Sequence, residues 1–202
     1  MAAFFYRKQN IDIPADEKET ARYLGYTGGV LPDATVSAMI HSASIDMQKL
    51  LAPQAVYEIF NINIDEKIIN FGGTSVESVK LAENLAGCGK VALLAATIGP
   101  KPDALIRKTQ ISDKAQSAVL QSTGAMFIES FVDMLNRKIS EENKQEGHRT
   151  HPRFSPGYGD VPLEVQHIFF TLLPCSKIGL TLMDSLIMAP EKSVTAFIGI
   201  EK

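Results

Sequence analysis

The sequence has little that would suit a nucleic acid or a membrane. Its 20 Lys and Arg stand against 23 Asp and Glu, a formal charge of −3, so it offers no positive field for a polyanion. No apolar run approaches the ~20 residues that a bilayer span requires. The opening stretch, MAAFFYRKQNIDIP, lacks a basic start followed by an apolar core, which predicts no secretory signal. Cysteine is scarce: Cys88 and Cys175 lie far apart and read as free thiols in a reducing cytoplasm. There is no GxGxxG, so neither a dinucleotide fold nor a Rossmann methyltransferase is supported. Gly87-Cys-Gly-Lys90 lacks the first glycine of a phosphate loop, and Val91 stands where Ser or Thr would hold magnesium. His148 and His151 have only Glu146 nearby as a further ligand, so no metal is expected.

What is present is an ordinary globular composition, 45% apolar and 21% charged over 202 residues, expected as a single domain with a real core. Residues 1–14 read as a tail docked on the body. Helices are expected over Pro14–Leu24 and from Pro32-Asp33 to Pro53. The second carries Val36, Met39, Ile40, Ala43 and Met47 on one face. Val56–Ile64 alternates as a strand, and Ile68–Phe71 pairs back on it. Thr74 with Glu77 has the capping-box spacing and predicts a helix over 75–86. Val91–Ile98 is continuously apolar and predicts a central strand covered on both faces. A short helix to Arg107 follows Gly99-Pro100. Ser112 then caps a long helix reaching about Asn143, with Glu141–Gly147 a mobile polar stretch. On the long helix Val119, Thr123, Met126, Phe127, Ser130, Phe131 and Met134 form the buried stripe. Ala118, Ser122 and Ala125 make a shallow trough beside Glu129 and Asp133. Pro162–Leu173 reads as a helix with Leu163, His167, Phe170 and Leu173 near one face, and Ser193–Ile200 as a last strand. Helices and strands mixed without a βαβ repeat predict an α+β fold with a largely antiparallel sheet.

The most informative stretch is His148–Pro162, HRTHPRFSPGYGDVP. Proline restricts φ and the residue before it, and glycine allows φ > 0 and close approach to the backbone. A segment with both, between helical patterns, is a loop of defined shape. Arg153 offers a planar fork to a carboxylate, and Tyr158 a flat face with a polar tip. That pairing suits a small ligand with an acid end and a ring. A plain interhelical loop with a surface arginine is the alternative reading of the same residues.

Arg153-Phe-Ser-Pro-Gly-Tyr158 with Pro162 resembles the RxxPGY…P loop of the activation (reactivation) domain of cobalamin-dependent methionine synthase. Gly179-Leu-Thr-Leu-Met-Asp-Ser-Leu-Ile-Met-Ala-Pro190 with Ser193-Val194 is similar to that family's G-x-x-LTES-x-AM-x-P-x-x-SV segment. Ile128-Glu-Ser-Phe-Val-Asp133 with Leu135 resembles the helix before the loop, and the three matches keep family order. Residues 111–202 would then be the S-adenosylmethionine-binding region, with a softer match over 1–110.

The resemblance implies a stand-alone reactivation subunit, an accessory of methionine synthase with little activity of its own. It implies S-adenosylmethionine as ligand and a cobalamin-binding module on another chain as partner. A flavodoxin-like or ferredoxin-like electron donor would complete the reductive remethylation of cob(II)alamin. It also implies that Glu129, Arg153, Ser155 and Gly157 bind the ligand. Arg153 would face its carboxylate and Glu129 its ammonium or sulfonium. Tyr158 would line the site near the methyl group and the corrin, the one position given a catalytic role. Asp184 stands where the family has Glu. Asp12, Asp16 and Asp33 are the available counterparts of an N-terminal aspartate that binds the ligand in larger versions, and the tyrosine-bearing segment those versions carry past the last strand has no counterpart before Lys202. Two rival functions remain at this point: an adaptor that holds a corrinoid protein without using S-adenosylmethionine, and a reactivator of a different corrinoid methyltransferase.

Overall fold

The apolar run Val91–Ile98 forms the middle of the sheet. The computed structural model describes residues 3–7 and 12–201; residues 1–2 and 8–11 of the expected tail, and Lys202, lie outside it. The run belongs to β5 (Cys88–Thr97), and each residue from Val91 to Ile98 is at most 1% exposed. A strand without polar alternation needs cover on both faces, and this one has it. β2 (Gln54–Asp65) pairs antiparallel with one edge of β5, and β8 (Ser193–Glu201) with the other. β3 (Ile68–Phe71) and β4 (Thr74–Glu77) continue the sheet past the second half of β2, giving the order β4-β3-β2-β5-β8. The tail docks as β1 (Phe4–Arg7), antiparallel to Gln54–Tyr57. The fold is therefore helices on an antiparallel sheet.

On one face Ala92, Leu94 and Ala96 of β5, with Ile198 and Ile200 of β8, meet four helices. These are α1 (Glu17–Tyr23), α2 (Ala34–Gln48), α4 (Pro100–Ser112) and α5 (Lys114–Gln145). The long α5 supplies Val119, Met126, Phe127 and Phe131 to this core, while Ser130 and Met134 of the expected stripe stay partly exposed. On the other face Val91, Leu93, Ala95 and Phe197 meet α3 (Val79–Asn84) and α6 (Gln166–Leu172). There Phe169 and Phe197 pack edge to face, ring centroids 4.7 Å apart. The 179–190 segment folds into a two-strand hairpin, β6 (Thr181–Leu182) and β7 (Met188–Ala189).

Four expectations need correction. Thr74–Glu77 is a strand and does not begin a helix. Gly72 and Gly73, at φ +58° and +78°, reverse the chain so that Val76 pairs with Ile69 and is buried. The helix waits for Ser78, whose hydroxyl accepts from Leu81 N–H. Ser112 is still within α4, and Asp113 caps α5 by accepting from Gln116 N–H at 2.9 Å. Glu141–Gln145 forms the end of α5. On α6 the inward residues are Gln166 and Phe169, followed by Leu173, while His167 is exposed. The expected face was one register off because the segment opens with a 3₁₀ turn, Leu163–Val165.

Candidate functional site

The 148–162 loop runs along the free edge of β8. Phe154 and Phe197 exchange backbone bonds of 2.9 and 2.7 Å, His151 N–H donates to Gly199 O, and Glu201 N–H donates to Arg149 O. Backbone groups alternate direction along an antiparallel strand. Thr195 is therefore the next residue of β8 whose N–H and C=O point away from β5, and the loop's bridges at Thr150 and Phe154 do not reach it. Beyond the last bridge the loop turns back on itself. Gly157, at φ +86°, donates to Val161 O at 2.9 Å, and Tyr158 N–H donates to Ser155 O at 3.2 Å. An L side chain is strained at that φ, which fixes glycine there.

The loop is pinned at its far end by Asp160. Its carboxylate accepts from Ser78 Oγ, from Val79 N–H at 2.7 Å and from Lys80 N–H at 3.1 Å, at the start of α3. The Ser78 hydroxyl first, and the two amides after it, hold the Asp160 carboxyl below its ordinary value.

Between the loop, α5, the β6–β7 hairpin and the start of β8 lies a groove of about 640 Å³. Ala125 and Glu129 line it from α5, Arg153, Ser155 and Tyr158 from the loop, and Ser193 and Thr195 from β8. Arg153 Nη2 lies 2.6 Å from Glu129 Oε2 and donates to Asp133 Oδ1 at 2.9 Å. Glu129 and Asp133 are one helical turn apart, so one guanidinium nitrogen answers both. Two acids against one arginine leave this corner with one negative charge in excess. A guanidinium has five donors. Both ion pairs use Nη2, and among the described residues Nε and Nη1 make no hydrogen bond.

Opposite α5, Lys192 crosses Gly124 so closely that a Cβ there would come 2.9 Å from Lys192 Cε. Of the small-residue trough of α5, Ser122 is buried and Ala118 is exposed. Burial pushes the Lys192 ammonium down, against the opposing pull of Asp103 and Glu191. Asp103 of α4 accepts from Glu191 N–H at 2.7 Å and so anchors the turn into β8. It is 5% exposed, and burial pushes its carboxyl up.

The structure brings Glu129, Arg153, Ser155 and Tyr158 around one groove, with Tyr158 at the rim and 67% exposed. Gly157 is at the loop tip, outside the lining, with its N–H engaged inside the loop. Asp184 is exposed in the β6–β7 turn. None of the three N-terminal aspartates lines the groove. Asp16 and Asp33 cap α1 and α2, and Asp12 accepts from Gln48. Tyr23 of α1 does not line the groove but lies within electrostatic range of Glu129. Its phenol is pushed up by burial and then by the charge of Glu129, with Tyr158 also in range. Tyr23, Gln166 and Lys192 were not singled out from the sequence. Each is an isolated residue without a motif, so only the packing reveals it.

A second cleft, of about 600 Å³, lies between α1 and α2 beside exposed Val30 and Leu31. Of its charged lining groups, Glu19 and Arg22 pair in a two-bond fork, Asp16 caps α1 and Glu17 meets His41 at 2.7 Å, so these groups are partnered at the surface of α1 and α2. Cys88 and Cys175 are free, buried and away from both hollows, and burial pushes their thiols up to about 11 and about 12. Among the described residues no cluster of three metal-ligating side chains occurs, and no helix is long and apolar enough to cross a membrane.

No protein-family model matches the chain, and no curated protein does. Among solved structures, the crystal structure of the MetH reactivation domain bound to AdoHcy is similar over 98% of this chain and 78% of that one, with a TM-score of 0.67 and 17% identity. At that identity the likeness shows the fold.

Proposed function

We propose that this protein binds S-adenosylmethionine in the Arg153 groove and presents it to a corrinoid-carrying module outside these 202 residues, for reductive remethylation of that module's cobalamin. The observation that carries this reading is the Arg153 corner. A ligand with a carboxylate, an ammonium and a sulfonium has one net positive charge, and the corner has one net negative charge from Glu129, Asp133 and Arg153. The carboxylate takes a donor that the two acids leave free, Nη1 or Nε of Arg153, as a charge-assisted hydrogen bond. The cationic groups take Glu129. The outward N–H and C=O of Thr195 and the small Ser155 let the remainder lie along the β8 edge. Tyr158, exposed at the rim, faces what docks there. The similar fold of a reactivation domain bound to AdoHcy supports the same ligand class.

The chain's own part is to bind and orient the methyl donor, an effect of position. The corrinoid and an electron donor of flavodoxin or ferredoxin type supply the redox chemistry. The test is calorimetric titration with S-adenosylmethionine, followed by transfer of labelled methyl to a reduced corrinoid module. Binding together with transfer supports the reading. Binding of the module without binding of S-adenosylmethionine would leave an adaptor in its place.

A further inference from the structure

Gln166 stands apart among the groove's lining residues. It opens α6, is 6% exposed, and its Oε1 has no hydrogen-bond partner. A buried amide oxygen left unpaired destabilises the free protein, and an apolar side chain of the same size would fill the space without that cost. Packing therefore does not explain the residue type. Its position does. Glu129 and Arg153 reach the groove from the α5 side of the sheet, and Gln166 reaches it from the α6 side, with Ser193–Thr195 of β8 also in the lining. The zwitterion-binding corner and the unpaired amide thus belong to opposite layers.

We propose that Gln166 is a specificity residue that reads the nucleobase of an adenosyl ligand, its amide pairing with the exocyclic amine and the adjacent ring nitrogen of adenine. This rests on the adenosyl reading of the groove given above. A carboxamide presents an acceptor and a donor side by side, and adenine presents the complementary donor and acceptor at the same spacing, so the two form a pair of parallel bonds. The amide oxygen and nitrogen exchange places by a half-turn of the terminal torsion, so either order is available. Binding would then satisfy an amide oxygen that folding leaves unpaired.

The test uses the whole chain and two probes by calorimetry. AdoHcy has both ends, and 5′-methylthioadenosine keeps the nucleoside but lacks the amino acid. Gln166→Met removes the polar atoms at similar volume. It should weaken both probes at least tenfold while the melting temperature of the free protein holds or rises. Arg153→Ala should weaken AdoHcy alone. If Gln166→Met binds both probes as the wild type does, or loses only AdoHcy, the inference is overturned while the groove reading stands. If the wild type binds neither probe, or Arg153→Ala leaves AdoHcy unaffected, the groove reading itself fails. Should Gln166→Met not fold, Gln166→Glu keeps the shape and the acceptor and removes the donor. A smaller loss for both probes supports the inference, and unchanged binding overturns it.

Discussion

Replacing Arg153 by alanine perturbs the free and the liganded protein by different amounts, and the difference is the prediction. In the free protein the side chain is 24% exposed, with Nη2 at 2.6 Å from Glu129 and 2.9 Å from Asp133. Truncation leaves two carboxylates four residues apart with no cation between them. That repulsion costs a few tenths of a kcal/mol. The partly solvated ion pairs add up to roughly 1 kcal/mol. For a chain of this size the melting temperature should fall by only about 2–4 °C. In the liganded protein a charge-assisted bond worth about 1.5–3 kcal/mol is lost. At tenfold per 1.4 kcal/mol, S-adenosylmethionine should bind roughly 10- to 150-fold more weakly. Arg153→Lys keeps the charge but not the fork and should fall between. Calorimetry with each variant, beside thermal unfolding, reads both numbers. A folded Arg153→Ala protein that binds within twofold of wild type refutes the reasoning.

Three further outcomes follow from the packing. A Cβ at Gly199 would come 2.6 Å from Cys88 Sγ and 2.8 Å from Leu85 Cδ2, so Gly199→Ala should cost roughly 1–3 kcal/mol by overpacking, with partial recovery in Gly199→Ala/Cys88→Ala; an unchanged melting temperature would contradict the contact. The Asp103 carboxyl is raised above its ordinary 3.8, so the folded state holds the proton more tightly, and this contribution to stability is present below 3.8 and lost as pH rises through the folded value. Asp103→Asn keeps an acceptor for Glu191 N–H and should flatten that part of the pH–stability profile; a profile as steep as wild type would speak against it. The Asp160 carboxyl is lowered by Ser78 and two α3 amides, so its contribution is present above 3.8 and lost as pH falls through the folded value. Asp160→Ala should therefore lower the melting temperature at pH 7 and bring it closer to wild type in acid, where a parallel offset at every pH would be the contrary result.

The central architecture was legible because long, one-sided patterns carry it. Val91–Ile98 has no polar residue but Thr97, and a strand so composed can only be central. Val119, Met126, Phe127 and Phe131 repeat at helical spacing and are buried. Thr74–Glu77 misled because a capping box and a short strand share the same residues; what decides between them is the Gly72-Gly73 turn and the pairing of Ile69 with Val76. The pairing of Glu129 with Arg153 across 24 residues could be anticipated only as two charges meant for one ligand. That each holds the other when free, with Asp133 as a third member, is a consequence of how the loop docks on α5. Gln166 was hidden for a different reason: an amide at the start of a short helix gives no signal until its oxygen is found buried and unpaired.

The claim that the Arg153 groove is the adenosyl site is tested most directly by a backbone-amide NMR titration of the protein with AdoHcy. Saturable shifts should cluster at Ala125–Glu129, Arg153–Tyr158, Gln166 and Ser193–Thr195. No saturable shifts, or shifts confined to Glu19 and Gly28–Leu31 in the cleft between α1 and α2, would contradict it.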